Sequence, residues 1–383
     1  MRAAVFGAGA FGGWTALELV RRGAEVQLID AWGAGHVRSS SGGETRVIRA
    51  TYGSHSVYTQ MAARALELWR KHDADWGRSL FHHTGALWIF PADNPFRAAS
   101  ASALRAHGLP VEELTIADAQ RRFPQVRLDD VAAVMFEPEA GYLMARDACD
   151  VVARRVAAEG GTELRGAAPE PLRIEGRPTA IALRDGRAIE ADVFVFACGP
   201  WLPSIFPDIV GSRIAVTRQE VYYYAAPAGD PLFEDSMPVW LEFGDRFMYG
   251  IPGNACRGFK VADDTPGPPM HPTTGERVPT SDALARVRAF VAHRFPPLAD
   301  APVIGAEVCQ YESTPDANFV IDCHPRAENV WIVGGGSGHG FKMGPVIGEI
   351  VAAQVLGESE RDPFFGLKRF ETPPVGGWKQ KWA

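Results

Sequence analysis

The 383-residue chain is poor in cysteine: Cys149, Cys198, Cys256, Cys309 and Cys323 are odd in number and scattered, with no C-x-x-C pair. That pattern excludes a disulfide framework or a zinc ribbon and points to a reducing compartment. No metal is expected, and the cytoplasm is the expected location. No apolar run approaches the roughly twenty residues of a membrane-spanning helix, so no membrane association is expected. Positive charge is in deficit, with 39 Lys and Arg against 46 Asp and Glu and a formal charge of −7. The deficit argues against nucleic acid or an anionic membrane as partner. Repeats and low-complexity tracts are absent. An apolar strand starts almost at Met1, so no cleavable leader is expected either. What remains is a globular composition, 46% hydrophobic and 22% charged, long enough for two domains.

The opening stretch organises the rest. Ala3-Ala4-Val5-Phe6 leads into Gly7-Ala8-Gly9-Ala10-Phe11-Gly12, a G-x-G-x-x-G. An amphipathic stretch from Phe11 to Arg22 follows, ended by Gly23, and then a second strand, Glu25 to Asp30. Gly7 allows the tight turn, Gly9 admits a pyrophosphate to the backbone, and Gly12 lets helix and strand pack closely. The helix N-terminus offers N–H groups to phosphate. Asp30 stands about where a ribose-binding carboxylate belongs. The strand–turn–helix–strand–acid context predicts a dinucleotide site without choosing between FAD and NAD.

Further on, Arg38 to Arg49 is too polar and glycine-rich for a core strand and reads as a loop with arginines suited to anions. Helices are expected over Tyr58–Lys71, Arg97–His107, Ile116–Arg122, Asp147–Glu159, Ser281–Arg294 and about Phe341–Leu356. Phe81–Phe90 reads as one strand, and Pro178–Arg187 as the first arm of a hairpin turning at Asp185-Gly186. Ala191–Trp201 is a buried strand entering a glycine turn. From Ile214 to Tyr249 the strands are rich in aromatics, the pattern of an antiparallel sheet. Thr265–Pro279 is a loop. Two short strands, Phe319–Asp322 and Val330–Val333, precede Gly334-Gly335-Gly336-Ser337-Gly338-His339-Gly340. In the closing helix Gly344, Gly348 and Ala352 share one face, left nearly bare for close packing. The fold class expected is α/β (α+β), a Rossmann-like dinucleotide domain interleaved with an antiparallel-sheet substrate domain. The first takes residues 1–84, 142–210 and 306–383, the second 85–141 and 211–305.

Three stretches together resemble one family: the N-terminal motif with Asp30; Gly43-Glu44-Thr45-Arg46-Val47-Ile48-Arg49; and the terminal block from Val308-Cys309-Gln310-Tyr311 through Phe319–Pro325 to Gly338-His339-Gly340-Phe341-Lys342. They are similar to the monomeric sarcosine oxidase / N-methyltryptophan oxidase family of FAD-dependent amine oxidases, over essentially the whole chain and in the same order. The resemblance implies that Gly7, Gly9, Gly12 and Asp30 hold the ADP half of FAD, and that Arg46 lies beside the isoalloxazine. Ser40, Thr45 and Gly336 join the cofactor set, and Gly338, His339 and Gly340 approach the flavin ring. Arg49 and Lys342 form a clamp for a substrate carboxylate, with Lys342 also near the cofactor. Cys309 stands where the family joins its flavin covalently, Lys260 matches the lysine that speeds reaction with oxygen, and Tyr249 and Tyr311 match aromatic pocket positions. Catalytic roles are thus implied for Lys260, Arg49, Lys342, Tyr249, Tyr311 and His339.

Two departures bear on the substrate. Asp264 stands where sarcosine-type members carry a histidine, and Trp240 where a smaller apolar side chain occurs. The expected activity is oxidation of a secondary or cyclic amino acid, with electrons passed to O2 to give hydrogen peroxide, by a monomer. The competing readings are a dehydrogenase using another acceptor, a biosynthetic oxidase of a cyclic imino acid or amine, and a flavin-binding protein whose pocket Trp240 closes.

Overall fold

The structure, a computed structural model, describes residues 1–226, 231–234 and 236–372. Its six-stranded sheet runs in the order Val320–His324, Ala327–Gly334, Val193–Phe196, Arg2–Phe6, Glu25–Asp30, Thr162–Arg165. Neighbours are parallel except the first pair. A parallel sheet needs cover on both faces, and the opening strand shows how this is met. Ala3 and Val5 pack into a core with the Ala10–Arg21, Ala145–Ala158 and Gly344–Val355 helices. Ala4 and Phe6 point the other way, into a core with Leu202, Ile205 and Ile181. The bare helix face expected at Gly344 and Gly348 is used: a Cβ on Gly348 would lie 2.7 Å from the carbonyl oxygen of Trp14.

The second sheet has eight strands, in the order Val303–Ser313, Ala215–Tyr224, Phe259–Asp263, Phe247–Ile251, Val239–Phe243, Ala86–Phe90, Ala133–Glu137, Glu112–Leu114. It is antiparallel throughout except where Val239–Phe243 runs parallel to Ala86–Phe90, so the sheet is mixed rather than purely antiparallel. Its two faces carry different residues. Leu87, Ile89, Trp240, Phe259 and Val261 pack under the Ser281–Arg294 helix with Val287 and Val291. Ala86, Trp88, Val239, Leu241 and Ile251 pack on the opposite face. Side-chain alternation along each strand produces the split.

Several expectations are corrected. The polar segment after Arg38 is not all loop: Thr45–Ile48 is a strand pairing with Gly141–Met144, beside Phe81–His82. The expected strand Phe81–Phe90 is broken at His83–Gly85, because Gly85 turns with φ +75° against the ring of Phe136. The hairpin forms, as Ala180–Ala182 with Ala188–Glu190, and the Ser281–Arg294 and Ile116–Arg122 helices have the expected bounds. The expected divisions at 141/142 and 305/306 cut through the Gly141–Met144 and Val303–Ser313 strands. Residues 373–383 of the expected first domain lie outside the described residues. No described helix is long and apolar enough to cross a membrane.

Candidate active site

A cleft runs between the two sheets, enclosing about 1820 Å³ of space with the solvent at its mouth included. At one end lies the opening turn. Gly7 has φ +102°, a left-handed backbone that only glycine adopts without strain, and a Cβ there would meet the carbonyl oxygen of Ala197 at 2.4 Å. On Gly12 a Cβ would lie 1.8 Å from the Gly7 carbonyl oxygen, so the helix and the turn touch only because it is glycine. Gly9 caps the Ala10–Arg21 helix at the cleft, where the Ala10 N–H donates to Ser41 Oγ at 3.1 Å. The Asp30 carboxylate accepts from the N–H of Ala8, Trp32 and Gly33, each at 2.8 Å, which fixes it at the rim. A bare, left-handed turn over a helix N-terminus with an adjacent acid fits a dinucleotide, so the residues present suit FAD.

The other end is charged. Arg49 and Lys342 are 3% and 4% exposed and line the same cleft. Arg49 follows the Thr45–Ile48 strand, and its guanidinium lies 4.5 Å from the ring centre of Tyr52 and 5.1 Å from that of Trp88. Glu137, buried at the end of its strand, accepts from Ala50 N and Thr51 Oγ1 and so holds the chain just beyond Arg49. Lys342 donates to the His339 carbonyl at 2.9 Å. The His339 ring is itself packed, with Nδ1 3.2 Å from the Tyr52 hydroxyl and Nε2 3.0 Å from the Ala317 carbonyl. Its ring thereby fixes the glycine loop.

A second, much smaller chamber adjoins this end, lined by Arg46, Tyr249, Lys260, Cys309 and Tyr311. Arg46, Tyr249 and Tyr311 border both spaces. The Arg46 guanidinium donates to the Thr45 carbonyl at 2.8 Å and stands 3.5 Å from Cys309 Sγ. Lys260 Nζ donates to the Thr45 carbonyl at 3.0 Å. Burial, with Arg46 nearby, pulls the Lys260 ammonium down to about 7. Burial also raises the Tyr311 phenol well above its usual range, with Asp264 adding to the effect.

The structure therefore brings Gly7, Gly9, Asp30, Ser40, Arg46, Arg49, Tyr249, Tyr311, Gly336, Gly338, His339, Gly340 and Lys342 to the main cleft. Lys260 and Cys309 sit in the small chamber, and Gly12 and Thr45 line neither space. Trp240 is not at the site. It is fully buried on the far face of the large sheet, its ring 4.8 Å from that of Phe295, and Leu241 faces the cleft instead. The register that puts Leu241 inward sends Trp240 outward, so a pocket closed by Trp240 is ruled out. Asp264 does line the cleft. Sequence reading missed Glu312, whose carboxylate accepts from Ser40 Oγ at 2.8 Å and from Gly336 N at 3.3 Å. Burial pushes it up to about 7. The signal available was an acid one place beyond Tyr311, at the end of the Val303–Ser313 strand, where its carbonyl accepts from Ser337 N of the glycine block at 2.9 Å. No cluster of metal-ligating side chains occurs among the described residues.

Comparison with known proteins agrees with this geometry. The family described as DAO, FAD dependent oxidoreductase, matches residues 2–354. The chain is 28% identical over 374 residues to a monomeric sarcosine oxidase of Bacillus sp. (strain B-0618), covering 95% of each chain. It is 30% identical over 375 residues to an N-methyl-L-tryptophan oxidase of Citrobacter koseri, covering 96% of this chain and 97% of the other. In fold it is similar to the L-proline dehydrogenase of P. horikoshii, with a TM-score of 0.84, 23% identity and 97% of each chain covered.

Proposed function

The chain belongs to the FAD dependent oxidoreductase family, and on that premise we propose that it is an oxidase of secondary or cyclic amino acids. The observation that carries this reading is the meeting of two buried cations, Arg49 and Lys342, in the cleft that also holds the dinucleotide turn. Two cations in a water-poor space favour an anionic guest. A carboxylate between them satisfies both, and the planar guanidinium sets its direction as well as its position. Bound FAD supplies the two-electron oxidation of a C–N bond and the return of those electrons to oxygen as hydrogen peroxide.

The chain's residues do the binding and the orienting. Held by its carboxylate, an amino acid presents its amine and α-carbon in one pose, which removes orientational freedom from the reaction. Lys260 offers positive charge beside the cofactor site, where reduced oxygen gains negative charge. Cys309, in the same chamber, is the residue we assign to a covalent thioether with the flavin: its sulfur would replace one hydrogen of a ring methyl group, with the thiol proton lost and the electron pair passed through the flavin to O2. Acid-precipitated protein should stay yellow and yield a flavin-bearing peptide containing Cys309, whereas release of all flavin to the supernatant overturns that assignment. The odd, scattered cysteines support a reducing, cytoplasmic setting, and the resemblance supports a monomer. A peroxide-coupled screen of N-methyl and cyclic amino acids tests the function. Peroxide with formaldehyde marks N-demethylation, and peroxide without it marks ring oxidation. No peroxide from any secondary amino acid overturns the reading.

A further inference from the structure

The charged end of the cleft carries both signs. Arg49 and Lys342 supply the positive groups, and Asp264, 5% exposed, supplies a carboxylate on the wall where the Phe259–Asp263 strand ends. Asp264 is held from two sides. Its backbone N–H donates to the Phe247 carbonyl at 2.8 Å, and Oδ1 accepts from the Tyr311 hydroxyl at 2.6 Å. Tyr311 in turn lies against Gly338, where a Cβ would come within 2.7 Å of the ring. Asp264 is thus tied through Tyr311, whose ring abuts the glycine loop that precedes Lys342. Its charge also reaches Arg49, where it favours the ionised guanidinium against the dominant cost of burial.

We propose that Asp264 is the group that reads the amine of the substrate, so that this site selects zwitterionic amino acids over simple carboxylic acids and over amines lacking a carboxylate. This rests on the amino-acid reading given above and adds the class of ligand to it. A site holding only Arg49 and Lys342 would attract a carboxylate and repel the ammonium a few ångströms away. An acid fixed in the same cleft offsets that repulsion for a cationic nitrogen and favours one orientation of the molecule. The cost of leaving a cation without a counter-charge in a desolvated space makes the discrimination large for its one residue.

The test uses two ligands of one shape in the flavin-loaded protein. Betaine and 3,3-dimethylbutanoate differ only in a cationic nitrogen replacing a carbon, and neither carries the nitrogen lone pair that oxidation needs. Perturbation of the visible flavin absorption then reports binding alone. The wild-type protein should bind betaine at least about tenfold more tightly, the order expected of one partly screened charge contact. Asp264→Asn keeps an acceptor for Tyr311 and should erase that preference, with 3,3-dimethylbutanoate binding held or tightened as a like charge is removed. Equal affinities in the wild type, which need no variant to measure, overturn the proposal and leave the amino-acid reading standing. A preference that survives in Asp264→Asn also overturns it. Binding of neither ligand to the wild type removes the amino-acid reading, and this proposal with it.

Discussion

The two ends of the cleft are built by different means. The dinucleotide end is made of backbone: a left-handed Gly7, a Gly12 with no room for a methyl, and a helix start, all within a dozen residues. The charged end is made of side chains from segments far apart in sequence: Arg49, Asp264, Tyr311 and Lys342. Backbone sites depend on steric exclusion, which is local and severe. Side-chain sites depend on charge and register, which no single segment contains. Changes at the first end should therefore remove the cofactor, and changes at the second should leave it bound while altering what it reacts with.

The largest effect is expected at the first end. A Cβ on Gly12 would lie 1.8 Å from a backbone oxygen, and backbone cannot give way as a flexible side chain does. Gly12→Val should cost at least ~4 kcal/mol, the range reserved for severe steric faults, and leave a protein with little bound flavin. Normal flavin content in that variant would show that the turn does not hold the cofactor.

At the charged end, Arg49→Ala or Lys342→Ala should weaken substrate and simple carboxylate inhibitors by ~2–5 kcal/mol, because the remaining cation faces the anion alone. Flavin content should hold. Inhibitor titrations that do not move in either variant would separate the clamp from the site.

Lys260 sharpens the comparison, since it sits beside the cofactor region yet outside the main cleft. Lys260→Met should leave anaerobic flavin reduction by substrate little changed and slow reoxidation by oxygen about a hundredfold, on the order of 3 kcal/mol. Fast dye reduction with slow oxygen uptake in the wild type would instead make the protein a dehydrogenase.

The smallest effect is its pH dependence. Burial lowers the Lys260 ammonium to about 7, so the charged form dominates below that pH and falls roughly tenfold per unit above it. Reoxidation should be fastest near pH 6 and decline from about pH 7 upward. Glu312 titrates in the same window, so the decisive observation is loss of the pH limb in Lys260→Met. The stability linkage has the opposite sense. The unfolded chain holds more protons on this lysine between about pH 7 and 10, so its cost to folding shrinks as pH rises through that range.

Legibility in the sequence follows the same division. Gly7, Gly9, Gly12 and Asp30 could be placed from spacing alone, because the motif is contiguous and the turn's geometry demands it, even though the carbonyl that crowds Gly7 is the distant Ala197's. Arg49, Lys260, Cys309 and Lys342 were reachable only through the family resemblance, since nothing local distinguishes a site arginine from a solvated one. Trp240 shows where alignment fails. One step of strand register decides between the cleft and the far core, and that step is set by pairing with the Phe247–Ile251 and Ala86–Phe90 strands. The room for Trp240 comes from Gly250 on the neighbouring strand, where a Cβ would lie 2.3 Å from the indole nitrogen. Glu312 escaped because its partners, Ser40 and Gly336, come from opposite ends of the chain.

The central claim is that the charged end holds an amino acid by its carboxylate. It is tested most directly by mixing the oxidised, flavin-loaded protein anaerobically with the best amino acid from the screen and, separately, with its methyl ester. The account predicts rapid bleaching of the visible flavin absorption by the acid, and a rate for the ester at least about a hundredfold lower, the scale of losing one clamped charge. Equal bleaching by acid and ester would contradict it.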